Sequence, residues 1–172
     1  MVSIENILRE AVSYDGADIK RINHFLKVYA FAKMIGEGEG LSSREQYILE
    51  AAAVLHDIGI HESERKYSSS AGKYQEIEGP EVARNILESL QADNDVIDRV
   101  CYLIGHHHTY NQVDGLDYQI LIEADFFVNA NEDNMSPEAV RKVYEQIFKT
   151  ETGKMLFEKI YLCGNSIQKA EK

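Results

Sequence analysis

The stretch Ala51–Ile60, AAAVLHDIGI, constrains this chain more than any other. Small and apolar residues run unbroken from Ala51 to Leu55, which suits a helix packed closely by its neighbours. The run ends in the adjacent pair His56-Asp57, with Gly59 two residues on. An imidazole and a carboxylate at the end of a buried helix are costly unless something satisfies them. A metal ion does so most simply, because it takes both side chains as ligands. The pair therefore requires that other polar side chains converge on it from elsewhere in the chain.

The rest of the composition sets bounds on that interior. At 172 residues the chain is expected to form one domain, large enough to bury a sizeable core. Apolar content of 44% and charged content of 27% are ordinary for a globular protein. The net charge of −11 argues against a general binder of nucleic-acid polymers or anionic membranes, which needs a basic face. It leaves room for a small anionic substrate met by a metal and a few local lysines. Cys101 and Cys163 are too few for a disulfide framework and fall in apolar helical patterns, so both read as core thiols in a reducing compartment. No segment reads as a signal peptide or a membrane span, and the expected location is cytoplasmic.

Helical periodicity runs through the chain, and no alternating strand pattern competes with it. A short helix is predicted over Ile4–Val12, closed by Tyr14-Asp15-Gly16, and a longer one from an N-cap at Asp18 to about Glu37. Ser42 or Ser43 caps the helix that carries the opening stretch, with Glu45 or Gln46 at capping-box spacing. His61 to Tyr74 shows no sustained period and reads as a loop, long enough to suggest a function. Glu78-Gly79-Pro80 opens the next helix, with Pro near its first turn. Further helices begin at Asp93 or Asn94, at Asp117, at Ser136-Pro137 and at Thr152. The fold class is all-α, a single-domain helical bundle whose core covers about residues 18–130, with C-terminal helices over 136–163 packed on it.

Several polar residues sit where apolar ones belong. Asp125 follows Leu121 by four and Ile122 by three, on the buried stripe of its helix. His24 is in phase with Val28, Phe31 and Ile35. In His106-His107-His108, His107 continues Val100 and Ile104 and His108 continues Cys101 and Ile104, so these two are favoured as inward-facing, with His106 in reserve. Together His24, His56, Asp57, His107, His108 and Asp125 supply nitrogen and oxygen donors from four helices. Such a set suits a divalent ion (Mn, Fe, Co, Ni, Zn or Mg), and its imidazole content favours a transition metal.

The order His, His-Asp, Asp on an all-helical chain, here His24, His56-Asp57 and Asp125 with the HDIG form at 56–59, resembles the HD-domain superfamily of metal-dependent phosphohydrolases. The resemblance spans roughly residues 18 to 130 and implies one metal bound by His24, His56, Asp57 and Asp125. Members with two metals carry further histidines, one at a helix start written His-Pro or His-Gly-Pro and others in a His-His pair. Here the pair is His107-His108, while the helix start reads Glu78-Gly79-Pro80, so Glu78 stands where a histidine ligand is expected. The Gly-Tyr-Pro signature of the cyclic-dinucleotide phosphodiesterases is absent, with Val113-Asp114-Gly115-Leu116 after the histidines. Some relatives place Lys soon after the His-Asp pair, where this chain has Ile60, His61 and Glu62.

The chemistry implied is hydrolysis of a small phosphate ester such as a nucleotide, by metal-activated water. Asp57 would orient the nucleophile, and His107 or His108 would serve as general acid where it is not a ligand. Arg65, Lys66 and Lys73 would clamp the phosphate from the segment after the His-Asp pair. Two other chemistries fit the same scaffold: a sensor that binds a nucleotide without turnover, and a di-iron oxygenase. The apolar faces after Ser136 can pack internally or on a second copy, giving a homodimer.

Overall fold

The computed structural model describes residues 2–163, and among them every regular element is helical. Helix α1 spans Ile4–Asp15, with the Ser3 hydroxyl accepting from the Asn6 N–H as its N-cap. Helix α2 spans Ile19–Glu39, capped by Asp18 at the start and by Gly40 at the end, where φ of 73° places the chain in the left-handed region that glycine enters without strain. Helix α3, Ser43–Leu55, opens on a complete capping box: the Ser42 hydroxyl accepts from the Glu45 N–H while the Glu45 carboxylate accepts from the Ser42 N–H.

Helix α3 is the centre of the molecule. Every residue from Ile48 to Leu55 is buried, because α1, α2, α6 (Asn94–Ile104) and α7 (Leu116–Glu132) pack round it. The alanines at 51, 52 and 53 let those neighbours approach closely. Helix α7 is buried almost as completely, lying against both α2 and α3. Helices α8 (Pro137–Ile147) and α9 (Glu151–Phe157) pack on α7, and α9 also reaches α2. Phe127 of α7 joins Phe148 and Phe157 there, with ring centroids 5.3 and 5.2 Å away. No helix among the described residues is long and apolar enough to cross a membrane.

Three expectations are corrected. The segment from His61 to Tyr74 is largely helical: α4 covers Ile60–Tyr67, and α5 begins at Gly72. In α4 only Ile60 and Ser63 are buried, so two helical turns leave too little apolar pattern to read. Pro80 is not at a helix start but inside α5, which spans Gly72–Ser89. A residue before proline is normally pushed out of the helical region by a clash involving its Cβ; Gly79 has none, and the helix continues. Cys163 is exposed, while Cys101 is buried as expected. Beyond Phe157 the chain loosens into a π-helical turn, Glu158–Leu162, which breaks the 3.6-residue phase that pointed Cys163 inward.

One close crossing sets the position of the His-Asp pair. A β-carbon on Gly59 would collide with the backbone of Gly79, and one on Gly79 would collide with Ile104 of α6. Backbone therefore meets backbone where α4 leaves α3, and the turn holding His56 and Asp57 is fixed against α5 and α6.

Candidate metal centre

Four side chains from two helices and the turn after α3 meet at one point. His24 comes from the second turn of α2, His56 and Asp57 from the end of α3, and Asp125 from the middle of α7. His24 Nε2 and His56 Nε2 are 3.2 Å apart. Asp57 Oδ2 lies 3.5 Å from each of them, and Asp125 Oδ1 lies 3.2 Å from His24 Nε2 and 3.6 Å from His56 Nε2. Donors about 2.1 Å from a shared ion stand about 3.0–3.4 Å from one another in tetrahedral or octahedral arrangements, so this spacing fits a bound cation.

The far side of each ring decides what the near side can do. His56 Nδ1 is 2.9 Å from the Ala53 carbonyl oxygen and His107 Nδ1 is 2.7 Å from that of Ile104. A carbonyl only accepts, so each Nδ1 carries the hydrogen and each Nε2 presents a lone pair when the ring is neutral. His24 Nδ1 meets the Glu132 carboxylate at 2.9 Å, with the same consequence. Carboxylate or carbonyl partners behind ligating histidines fix ring orientation in this way. His107 Nε2 is 3.5 Å from Asp57 Oδ1 and is buried with no hydrogen-bond partner among the described residues. Such an orphaned nitrogen calls for a cation or a proton. Asp57, His107 and His108 form a second group of ligating atoms within 4.8 Å of one another, beside the group of His24, His56 and Asp57.

The HD domain family model matches residues 21–148, which contain all of these side chains. The chain belongs to the HD domain family. The fold is also similar to a crystal structure of a predicted HD superfamily hydrolase from an uncultured Thermotogales bacterium. That likeness has 26% identity and a TM-score of 0.65, and it covers 96% of this chain and 88% of the other. A search of curated proteins gives no match. The HD family is one of metal-dependent hydrolases, and its His and Asp residues in this chain are grouped so that they could hold a divalent metal.

The other expected HD site residues are placed differently. Glu78 belongs to neither group of ligating atoms. With Pro80 inside α5, the face of that helix turned to the site carries Gly72, against His108, and Gln75. Glu78 follows Gln75 by three residues, yet its carboxylate is turned to α4, where it accepts from Lys66 Nζ and from Tyr67 Oη. Arg65 pairs with Glu62, and Lys73 lies 4.6 Å over the Tyr74 ring. Arg65, Lys66 and Glu78 line a cavity of about 520 Å³ between α1, α4 and α5, which none of the tetrad lines. The clamp expected from Arg65, Lys66 and Lys73 is thus not assembled at the histidines, because these cations sit on helices that carry them elsewhere. The cations at the tetrad's own cleft are Lys20 and Arg21.

Of the three histidines in the run, His107 is buried, His108 is half-buried, and His106 turns away to stack on Tyr102 with its Nδ1 on the Tyr102 carbonyl. The structure adds partners that the sequence reading missed. Gln75 donates from Nε2 to the Ser70 carbonyl, so its Oε1, 3.2 Å from His108 Nε2, accepts from that ring nitrogen. Glu76 accepts from the His108 N–H and the Thr109 hydroxyl, pinning the turn that carries the histidines. Glu132 binds both His24 and Lys27. It lies seven residues after Asp125, on the same face of α7, so helical phase contained that signal.

The centre is electrostatically hungry for positive charge. Burial opposes a proton on His24, yet its hydrogen bond to Asp125 and the charges of Asp57 and Asp125, with Glu132 behind, raise it to about 9. His56 is raised against burial by Asp57 and Asp125. Burial also opposes charge on the two aspartates, but His56 and His107 hold Asp57 below the usual carboxylate range, and His24 and His56 do the same for Asp125. His108 goes the other way, lowered to about 4 by burial and by His107, so it is neutral at ordinary pH.

Proposed function

We propose that this HD protein is a metal-dependent phosphohydrolase of small phosphate esters, the class that includes nucleotides, with His24, His56, Asp57 and Asp125 as ligands of one divalent ion. The observation that carries the reading is the convergence of two Nε2 atoms 3.2 Å apart, their Nδ1 sides already satisfied, between two buried or half-buried carboxylates. Among the described residues no lysine or arginine pairs with Asp57 or Asp125, and a divalent ion of the Mn, Fe, Co, Ni, Zn or Mg kind would take the place of the histidine protons that otherwise offset them. Asp57, His107 and His108 are the residues for a second ion. A bound ion supplies a Lewis acid for the phosphoryl oxygen and a water of lowered pKa.

The remaining work falls to the side chains. Asp57 faces the histidines of both groups and orients the attacking water between them. His107 Nε2, bare because Nδ1 donates to Ile104, is placed to take the water's proton and return it to the leaving alkoxide when it is not a ligand. Gln75 holds His108 as the neutral Nε2–H form beside it.

The test is Asp57→Ala, assayed for metal content, helical circular dichroism and phosphate release from small phosphate esters. The expected result is a folded protein that has lost metal and turnover together. Full turnover by well-folded, metal-free Asp57→Ala protein would sink the mechanism.

A further inference from the structure

The tetrad reaches solvent through a cleft of about 240 Å³ bounded by α2, α4, the α4–α5 turn and the end of α7. Pockets that enclose drug-sized ligands usually measure about 300–1,000 Å³, so this one suits a compact molecule. Its walls are polar. Asp133 offers carboxylate oxygens, Ser70 and Asn129 offer small hydrogen-bonding groups, and Lys20 brings positive charge, while Asp18 and Arg21 are paired with each other. Among the described residues Ile60 is the one aliphatic side chain lining it, and no Phe or Tyr does.

A nucleobase is held chiefly by stacking on aromatic or guanidinium planes. The aromatic side chains around the centre are engaged elsewhere. Tyr67 and Tyr74 stack on each other at 4.2 Å, and Tyr110 packs on Phe126 and lines a different, smaller cavity. Arg21, the one guanidinium in the cleft, is held by Asp18 and Glu64. The larger cavity beyond α4 shares no lining residue with the cleft. Hydroxyl groups, in contrast, donate well to Asp133 and pair with Asn129 and Ser70.

Resting on the phosphohydrolase reading, we infer that the site selects a compact, hydroxyl-rich phosphate monoester, a sugar or polyol phosphate, over a nucleoside monophosphate. The phosphate lies toward His24, Asp57 and Lys20, and the hydroxyls lie against Asp133, Asn129 and Ser70.

The test is steady-state turnover by the full, metal-loaded chain of ribose 5-phosphate, adenosine and uridine 5′-monophosphates, and p-nitrophenyl phosphate, with metal content measured in parallel. Ribose 5-phosphate differs from the nucleotides chiefly in lacking the base. Its kcat/KM is expected to exceed theirs by about tenfold or more, mostly through KM. A nucleotide turned over as well as or better than ribose 5-phosphate would overturn this inference and leave the hydrolase reading standing. Metal-loaded protein that turns over none of the four would overturn both. Asp133→Leu is expected to raise KM for ribose 5-phosphate more than for p-nitrophenyl phosphate, which has no hydroxyl to place. An equal change for both substrates would remove Asp133 from the hydroxyl wall.

Discussion

Helix α7 carries two buried carboxylates two residues apart, Glu123 and Asp125, and they solve the same problem in opposite ways. Glu123, fully buried, faces the loop between α8 and α9. It accepts from the Lys149 and Thr150 N–H groups, the Thr150 hydroxyl and the Gln119 amide. Burial raises its pKa, and those bonds pull against the rise. Asp125 points across the helix to His24 and His56, whose facing nitrogens need a cation of their own. Saturation with fixed donors makes Glu123 a fastener for the C-terminal helices. A shortage of fixed donors makes Asp125 a receptor for something brought in. Burial alone does not distinguish structure from function; the partners do.

The largest effect is expected at Asp125. Asp125→Asn keeps the side-chain volume and removes the charge, and it should weaken metal binding by about 100-fold or more, with turnover falling in step. Metal titration of the purified variant checks this, and an affinity within a fewfold of the parent would break the contrast. Glu123→Ala should do the reverse. Removing the acceptor strands the buried Thr150 N–H and hydroxyl and opens a cavity, at a cost of about 3 kcal/mol. Thermal unfolding should move down by about 6–12 °C, while metal stoichiometry stays that of the parent.

The same two residues show what the sequence could reveal. Asp125 announced itself because its stripe was otherwise apolar. Glu123 was passed over, since three of its four donors, the Lys149 and Thr150 N–H groups and the Thr150 hydroxyl, lie 26 and 27 residues away. Local signals were readable wherever they were chemically complete: the Ser42–Glu45 capping box, the Asp18 cap and the Ser136-Pro137 start all stand as expected. The candidate metal tetrad was legible because His24 and Asp125 each interrupt an otherwise apolar stripe and His56-Asp57 ends a wholly apolar run. Helix α4 was not, because eight residues with two buried positions make no period. The substrate clamp was misassigned because proximity to His56-Asp57 in sequence says nothing about which side of α4 a lysine leaves from.

A pH series sharpens the contrast between the carboxylates. In the metal-free protein His24 is raised from 6.5 to about 9, so its ring is protonated at neutral pH. An incoming ion must displace that proton, so apparent metal affinity should rise about tenfold per pH unit on the way to pH 9 and then level. The linked stability has the same origin. His24 has a folded pKa above its unfolded value, so it stabilises the metal-free fold fully below about 6.5 and loses this contribution as pH rises through about 9. The metal-loaded protein should lack this decline, because the ion takes the proton's place. Glu123→Ala should keep the affinity slope. Asp125→Asn should shift it to lower pH by removing the main hydrogen bond that raises His24. An affinity flat from pH 6.5 to 9 in the parent would contradict the assignment.

The smallest effect is expected at Glu78, a third nearly buried carboxylate, which tests whether the rule extends beyond α7. It resembles Glu123 in being satisfied by the protein, through Lys66 and Tyr67, which hold its carboxylate toward α4. Lys66 is about a third exposed, so water screens the pair and its loss is cheap. Glu78→Gln keeps a group that can still bond Tyr67, and a fall in Tm of about 2–4 °C at most is expected. Metal stoichiometry and affinity should match the parent. A lost or weakened metal would instead mean that Glu78 leaves Lys66 when an ion binds and turns inward. In that case the carboxylate in place of histidine before Gly79-Pro80 would be a ligand after all, and satisfied partners would no longer suffice to mark a carboxylate as structural.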